Sequence, residues 1–137
     1  MARYLVDTNI VLFALHNPKE LESRVLDIVT GYNYQLYIST VSVQEIIHLY
    51  KRNKIKTTWK KVEDILPGIE ALNFKLLPVK REHLATYSGL STLISHNDPC
   101  DHVIISQAIT ERMTLISSDR DFEFYITQKL DFIFNSR

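Results

Sequence analysis

The sequence predicts an α/β fold, in which a mainly parallel sheet of about five short strands carries helices on both faces. Short apolar runs rich in β-forming residues alternate along the chain with segments of helical periodicity. The 137 residues include only 3 glycines and 4 prolines, too few for an all-β chain with many tight turns. No repeat, low-complexity segment or linker divides the sequence. We therefore expect one domain over residues 1–137.

The first predicted strand is RYLVD, a short apolar run that ends at Asp7. Three later runs have the length and composition of buried strands, and an edge strand is expected near the end of the sequence. These segments are YQLYIS (34–39), KLLPV (75–79), MTLISSD (113–119) and part of residues 122–137. Because helical segments separate them, parallel pairing is the expected arrangement.

Helical periodicity fills the stretches between these strands. The predicted helical segments are residues 8–16, 18–31, 40–54, 57–72, 80–97 and 98–112. Pro67 and Gly68 are expected to interrupt the fourth segment. The sixth begins with Asp98 followed by Pro99, an N-cap residue and a proline in the first helical position.

The single cysteine and the absence of long apolar runs bear on the compartment. Cys100 alone excludes an internal disulfide and suits a reducing environment. The first apolar stretch contains Asp7 and makes a poor signal peptide. No apolar run approaches the roughly 18 residues that span a membrane. We expect a cytoplasmic protein.

The net charge of zero, from 16 acidic and 16 basic residues, neither favours nor excludes a nucleic-acid partner. The distribution of charge says more, because six basic side chains lie within eleven residues that contain no acid. They are Lys51, Arg52, Lys54, Lys56, Lys60 and Lys61. This basic cluster suits contacts with RNA phosphates, although a solvated helix end and loop would have the same composition.

Four acidic residues are expected to meet at one edge of the sheet. Asp7 and Asp119 each end a predicted strand, and parallel strands end at the same edge. Asp101 lies in the first turn of a helix that leads into a strand, and Glu45 lies near the start of another. Because such helices run back antiparallel to the strands, their first turns lie at that same edge.

Converging carboxylates repel one another and either raise each other's pKa values or bind a cation. Oxygen ligands favour Mg²⁺ or Mn²⁺, and the usual chemistry of such a site is phosphoryl transfer with activated water. Taken singly, each acid also has a plain structural interpretation. Asp7 and Asp119 suit helix caps, Asp101 suits the helix dipole, and Glu45 suits a surface position.

Four segments resemble the motifs of the PIN domain family, in particular the VapC-type toxins of toxin–antitoxin pairs. They occur in the order and spacing of that family and extend over residues 4 to about 133. The segments are YLVDTNIVL, ISTVSVQEI, HNDPCDHVIISQA and LISSDRDF. The family's third motif commonly has Phe and Arg at the positions of Cys100 and His102. We expect these two departures to affect packing and substrate binding more than metal binding.

The resemblance implies a PIN-like α/β/α fold and a Mg²⁺-dependent ribonuclease, active as a homodimer and inhibited by a small antitoxin whose tail enters the acidic cleft. The acidic set that binds the metal and performs catalysis is matched by Asp7, Glu45, Asp101 and Asp119. Supporting positions are matched by Asn9, Asp98 and Ser118, of which Asp98 is expected mainly to cap its helix. RNA contacts are assigned to Lys51, Arg52, Lys54 and Lys56.

Two other functions fit parts of the sequence. A haloacid-dehalogenase-like phosphohydrolase would use Asp7 as a nucleophile, but that family has aspartate at the position of Asn9. A non-catalytic module would bind RNA or a partner without cleavage. His16, His83 and His96 show no spacing typical of metal ligands and are assigned no role.

Overall fold

The computed structural model describes residues 2–137 and contains one five-stranded sheet in which every neighbouring pair of strands is parallel. The strands are β1 (Arg3–Val6), β2 (Gln35–Ser39), β3 (Phe74–Leu77), β4 (Thr114–Ser117) and β5 (Asp131–Phe134). Their order across the sheet is β3-β2-β1-β4-β5. The predicted parallel α/β fold is confirmed, and β1 occupies the centre of the sheet.

Helices connect successive strands. They are α1 (Thr8–His16), α2 (Ser23–Thr30), α3 (Thr40–Lys51), α4 (Ile65–Glu70), α5 (Arg81–Ser88) and α6 (Pro99–Glu111). Short 3₁₀ segments cover Pro18–Glu20, Val62–Asp64 and Arg120–Gln128. Within residues 2–137, no helix is both long and apolar enough to cross a membrane.

The sheet separates two apolar cores, because successive side chains of a strand point to opposite faces. Val6 packs with the core of α1 to α4, whereas its neighbour Leu5 packs with α6 and the Arg120–Gln128 segment. Both side chains are fully buried. The molecule therefore has three layers, with helices on both faces of the sheet.

The structure corrects three predicted boundaries. Pro67 and Gly68 lie inside α4, because Pro67 occupies its first turn, where no intrahelical N–H bond is needed. Gly68 is required there, since a Cβ would lie 2.6 Å from Trp59 Nε1. The helix predicted over 18–31 becomes a 3₁₀ turn followed by α2. The helix predicted over 80–97 ends at Ser88, and residues 89–98 form a loop.

Candidate metal centre

Asp7 is held rigidly at the carboxyl edge, the edge of the sheet where the parallel strands end. It follows β1 and caps α1, with Oδ1 accepting the Thr8 backbone N–H at 2.7 Å. Its Oδ2 accepts the Ser117 hydroxyl at 2.8 Å. Its own backbone N–H donates to the Ile116 carbonyl at 3.0 Å. The carboxylate is thus fixed between β1 and β4, and it is only 7% exposed.

Asp101 and Asp119 approach each other at the same edge. Asp119 follows β4 and caps the 3₁₀ segment through Oδ1, which accepts the Asp121 N–H at 2.9 Å. Asp101 lies in the first turn of α6. One oxygen of each carboxylate and one ring nitrogen of His96 all lie within 4.8 Å of one another.

Glu45 completes the group of four acids from the second turn of α3. Its charge contributes to raising the pKa values of Asp7 and Asp101, which places it within electrostatic reach of both. The structure therefore brings the four acids predicted from the sequence to the carboxyl edge.

Negative charge at this edge is poorly compensated. Burial raises the pKa of Asp7 to about 7, and the charges of Asp101 and Glu45 add to this against the opposing hydrogen bonds from Ser117 and Thr8. Burial also raises the pKa of Asp101 to about 7, and the charges of Asp98, Glu45 and Asp119 raise it further. Within residues 2–137, no lysine or arginine forms an ion pair with these carboxylates.

This set of donors fits a hard divalent cation. Carboxylate oxygens are the ligands that Mg²⁺ and Mn²⁺ prefer, and a cation would offset both the burial and the mutual repulsion that raise the pKa values of Asp7 and Asp101. Asp7, Glu45, Asp101 and Asp119 are the carboxylates at this edge that could hold it, and one oxygen each of Asp101 and Asp119 already lie within 4.8 Å of each other.

The supporting residues differ in their placement. Asp98 caps α6, because its Oδ1 accepts the Cys100 N–H at 2.9 Å. Asn9 is exposed in the first turn of α1. The Ser118 hydroxyl accepts a hydrogen bond from Asn135 at 2.9 Å, and the hydroxyl that orients Asp7 belongs instead to Ser117.

His96 lies in the site although the sequence analysis assigned it no role. Its Nε2 is 3.0 Å from Asp101 Oδ2, and its side chain is only 4% exposed. The spacing between histidines gives no signal for His96, because its partner is an aspartate five residues away. Its position in the segment HNDPCD, inside the third motif, was the available signal.

The two departures in the third motif lie beside the acids. Cys100 is partly exposed, and burial together with Asp98 and the other nearby acids raises the pKa of its thiol. His102 is buried and its Nε2 donates to the His96 carbonyl at 2.8 Å. His102 therefore supports the loop that precedes α6.

The basic cluster begins at Lys51, the last residue of α3. Lys51 follows Glu45 by six residues on α3, or about 9 Å along the helix axis at 1.5 Å per residue. Farther along the chain, Thr57 and Trp59 contact His16 at the end of α1, with 3.1 Å between Thr57 Oγ1 and His16 Nε2. A phosphate bound by Lys51 would therefore lie beyond Glu45, towards the end of α3.

A sequence model of the PIN domain family matches residues 4–125. The chain belongs to the PIN domain family. The family assignment made from the four motifs is confirmed, and it favours a nuclease over the phosphohydrolase alternative. No curated protein sequence matches this PIN domain chain significantly.

Solved structures of low sequence identity share the fold. VapBC2 from Rickettsia felis, bound to a promoter DNA fragment, matches with 18% identity and a TM-score of 0.68, covering 98% of this chain and 99% of that chain. VapBC-1 from nontypeable Haemophilus influenzae matches with 19% identity and a TM-score of 0.66, covering 96% and 97%. FitAcB from Neisseria gonorrhoeae matches with 19% identity and a TM-score of 0.64, covering 96% of both chains.

Proposed function

We propose that this PIN domain protein is a Mg²⁺- or Mn²⁺-dependent endoribonuclease and the toxin of a toxin–antitoxin pair. The observation that carries the proposal is the convergence of four carboxylates at the carboxyl edge, two of them with pKa values raised to about 7. Such a site gains from a divalent cation, and a metal-dependent nuclease uses one to stabilise charge on the phosphoryl oxygens.

The four acids would share the work of holding the cation. When bound, it supplies an activated water and neutralises charge at the scissile phosphate. Asp7 is oriented for this role by the Thr8 amide and the Ser117 hydroxyl. Because the attack is by water, the 2′-hydroxyl of the RNA is not needed, and products carry a 5′-phosphate and a 3′-hydroxyl.

The RNA would extend from the acids towards the basic cluster. Lys51, Arg52, Lys54 and Lys56 are exposed side chains and are assigned to phosphates away from the cleaved bond. Neutralising phosphates releases counterions, so RNA binding should weaken as salt increases. The logarithm of the RNA-binding constant falls linearly with the logarithm of the salt concentration. Replacing both Lys54 and Lys56 by alanine should make this slope less steep by about 2.

A small antitoxin is the proposed protein partner, and its tail would enter the acidic cleft and compensate the charge of the carboxylates. The likeness in fold to the VapBC and FitAcB structures supports this assignment. We also propose a homodimer in the cytoplasm.

The test is cleavage of total RNA by the purified protein, freed of antitoxin, with Mg²⁺ or Mn²⁺. EDTA and the variant Asp7→Asn serve as controls. We expect discrete fragments that disappear in both controls and that carry 5′-phosphate and 3′-hydroxyl ends. A 2′,3′-cyclic phosphate, or cleavage that persists in EDTA, would contradict the mechanism. Tight RNA binding without metal or cleavage would favour the non-catalytic binding module.

A further inference from the structure

His96 is buried between a metal-site carboxylate and a tyrosine. Its Nε2 lies 3.0 Å from Asp101 Oδ2, and its Nδ1 lies 3.0 Å from the Tyr125 hydroxyl. His96 is 4% exposed and Tyr125 is fully buried. The geometry of a buried imidazole with both nitrogens hydrogen-bonded determines which nitrogen donates and which accepts.

The direction of these hydrogen bonds follows from the Tyr125 hydroxyl. That oxygen accepts the Leu93 backbone N–H at 3.2 Å. Among residues 2–137, His96 Nδ1 is the only acceptor within hydrogen-bond distance of the hydroxyl, so the phenolic proton goes to Nδ1. With Nδ1 accepting, the ring proton is on Nε2, which donates to Asp101.

The imidazole is also held in place from its own backbone and from its ring faces. The His102 side chain donates to the His96 carbonyl at 2.8 Å. The rings of His102, Phe122 and Tyr125 lie 5.0, 5.4 and 5.6 Å from the His96 ring, measured between centroids. The loop before α6 thus presents one N–H group to Asp101 in a fixed direction.

We propose that His96 is a positioning residue of the metal centre, which holds Asp101 through Nε2–H and is itself oriented by Tyr125 and His102. The inference rests on the proposed function, because it assigns Asp101 to a cation. One Asp101 oxygen is occupied by the N–H group, which also offsets part of its repulsion with Asp119. Hydrogen-bonding partners of metal ligands commonly change metal affinity tenfold or more.

The chain contains a matched control for this pair. His83 is fully buried, and its Nε2 lies 2.7 Å from Glu111 Oε2 at the other end of α6. Its Nδ1 accepts the Lys80 backbone N–H at 2.9 Å, so its Nε2 also carries the proton. Replacing His83 removes the same kind of interaction from the other end of α6 without touching the four acids of the carboxyl edge.

The test is titration of the metal-free protein with Mn²⁺ by calorimetry, for folded samples of the wild type and three variants. We expect His96→Ala to weaken the Mn²⁺ affinity at least about tenfold. His96→Gln should recover most of this loss, because its amide N–H reaches the position of Nε2. His83→Ala should stay within about twofold of the wild type, because it is remote from the site.

Equal Mn²⁺ affinities for His96→Ala and His83→Ala would overturn the inference and leave the proposed function standing. If instead the wild type binds no Mn²⁺, the proposed metal centre itself fails, and the inference fails with it. Spin-echo spectroscopy of the wild-type Mn²⁺ complex should show no directly bound nitrogen. A direct nitrogen ligand that is lost in both His96 variants would make His96 a ligand and contradict the positioning role.

A second variant keeps the test decisive if His96→Ala does not fold. Tyr125→Phe retains the ring and removes only the hydroxyl that fixes the imidazole. We expect its Mn²⁺ affinity to fall about three- to tenfold, to a value between that of the wild type and that expected for His96→Ala. An unchanged affinity would contradict the role assigned to Tyr125 and His96.

Discussion

The two ends of α6 carry the same interaction in two different settings. The start pair, His96 and Asp101, and the end pair, His83 and Glu111, are both buried histidines that face a carboxylate, at 3.0 and 2.7 Å. In both pairs Nδ1 accepts a hydrogen bond and Nε2 donates to the acid. The main difference lies in what surrounds the carboxylate.

The end pair ties two helices together. Beside it, the Thr86 and Thr110 hydroxyls are 2.7 Å apart between α5 and α6, and Arg3 donates to the Glu111 carbonyl at the end of α6. A cation at that end of the helix also complements its dipole. The start pair instead lies among acids whose charges raise the pKa of Asp101 in addition to the effect of burial. Neighbouring charge therefore distinguishes the two pairs, since the start pair lies among the acids of the carboxyl edge.

The largest contrast should appear in activity. Asp101→Asn should lower metal-dependent RNA cleavage by more than about a hundredfold, exceeding the loss caused by removing a partner of a ligand. Glu111→Gln keeps an acceptor for His83 and should cleave within a few-fold of the wild type. Initial rates at saturating Mg²⁺ measure both, and similar losses in the two variants would break the comparison.

The acids around the start pair should also make the free energy of unfolding of the metal-free protein depend on pH. Asp7 keeps its proton up to a pKa of about 7 when folded but loses it near 3.8 when unfolded. The folded state therefore binds more protons between these values, and the free energy of unfolding falls as pH rises through that window.

Asp7→Asn removes this loss. Relative to the wild type, it should gain about 2–3 kcal/mol of unfolding free energy between pH 5 and pH 8, at about 1.4 kcal/mol per pKa unit. Urea unfolding in EDTA measures the difference. If the free energy of unfolding changes with pH in the same way for the wild type and for Asp7→Asn, then Asp7 does not carry an uncompensated charge.

Adding the cation should reverse the destabilisation. Mn²⁺ at a hundredfold excess over its Kd should stabilise the wild type by about 2.7 kcal/mol at pH 7.5, raising Tm by several degrees. At pH 5.5 the gain should shrink, because protons on Asp7 and Asp101 compete with the metal. Thermal melts with and without Mn²⁺ check this, and a gain independent of pH would argue against these ligands.

The smallest effect is expected for the end pair. His83→Ala leaves Glu111 without its donor and should lower the free energy of unfolding by about 1–3 kcal/mol. Its cleavage rate at a temperature where it stays folded should match that of the wild type. Denaturant unfolding and the cleavage assay, run on the same sample, separate the two effects.

Much of this arrangement was accessible from local patterns. Strands such as RYLV and TLIS were identified from apolar runs, and the acids that follow them were placed at one edge by parallel topology. The Asp98 cap was predicted from its neighbour Pro99 and is present. Pro67 was misjudged, because a proline breaks a helix only outside the first turn and the start of α4 is set by packing.

The sequence by itself determined the order of elements, the parallel sheet, the family and the four acids, since periodicity and chain direction are local properties. The tertiary structure decided that Ser117 rather than Ser118 binds Asp7, because adjacent residues at a strand end point in opposite directions. It also decided the contacts of His96 with Tyr125, 29 residues away. Such contacts depend on how segments that are distant in sequence pack together, and local sequence patterns do not specify this packing.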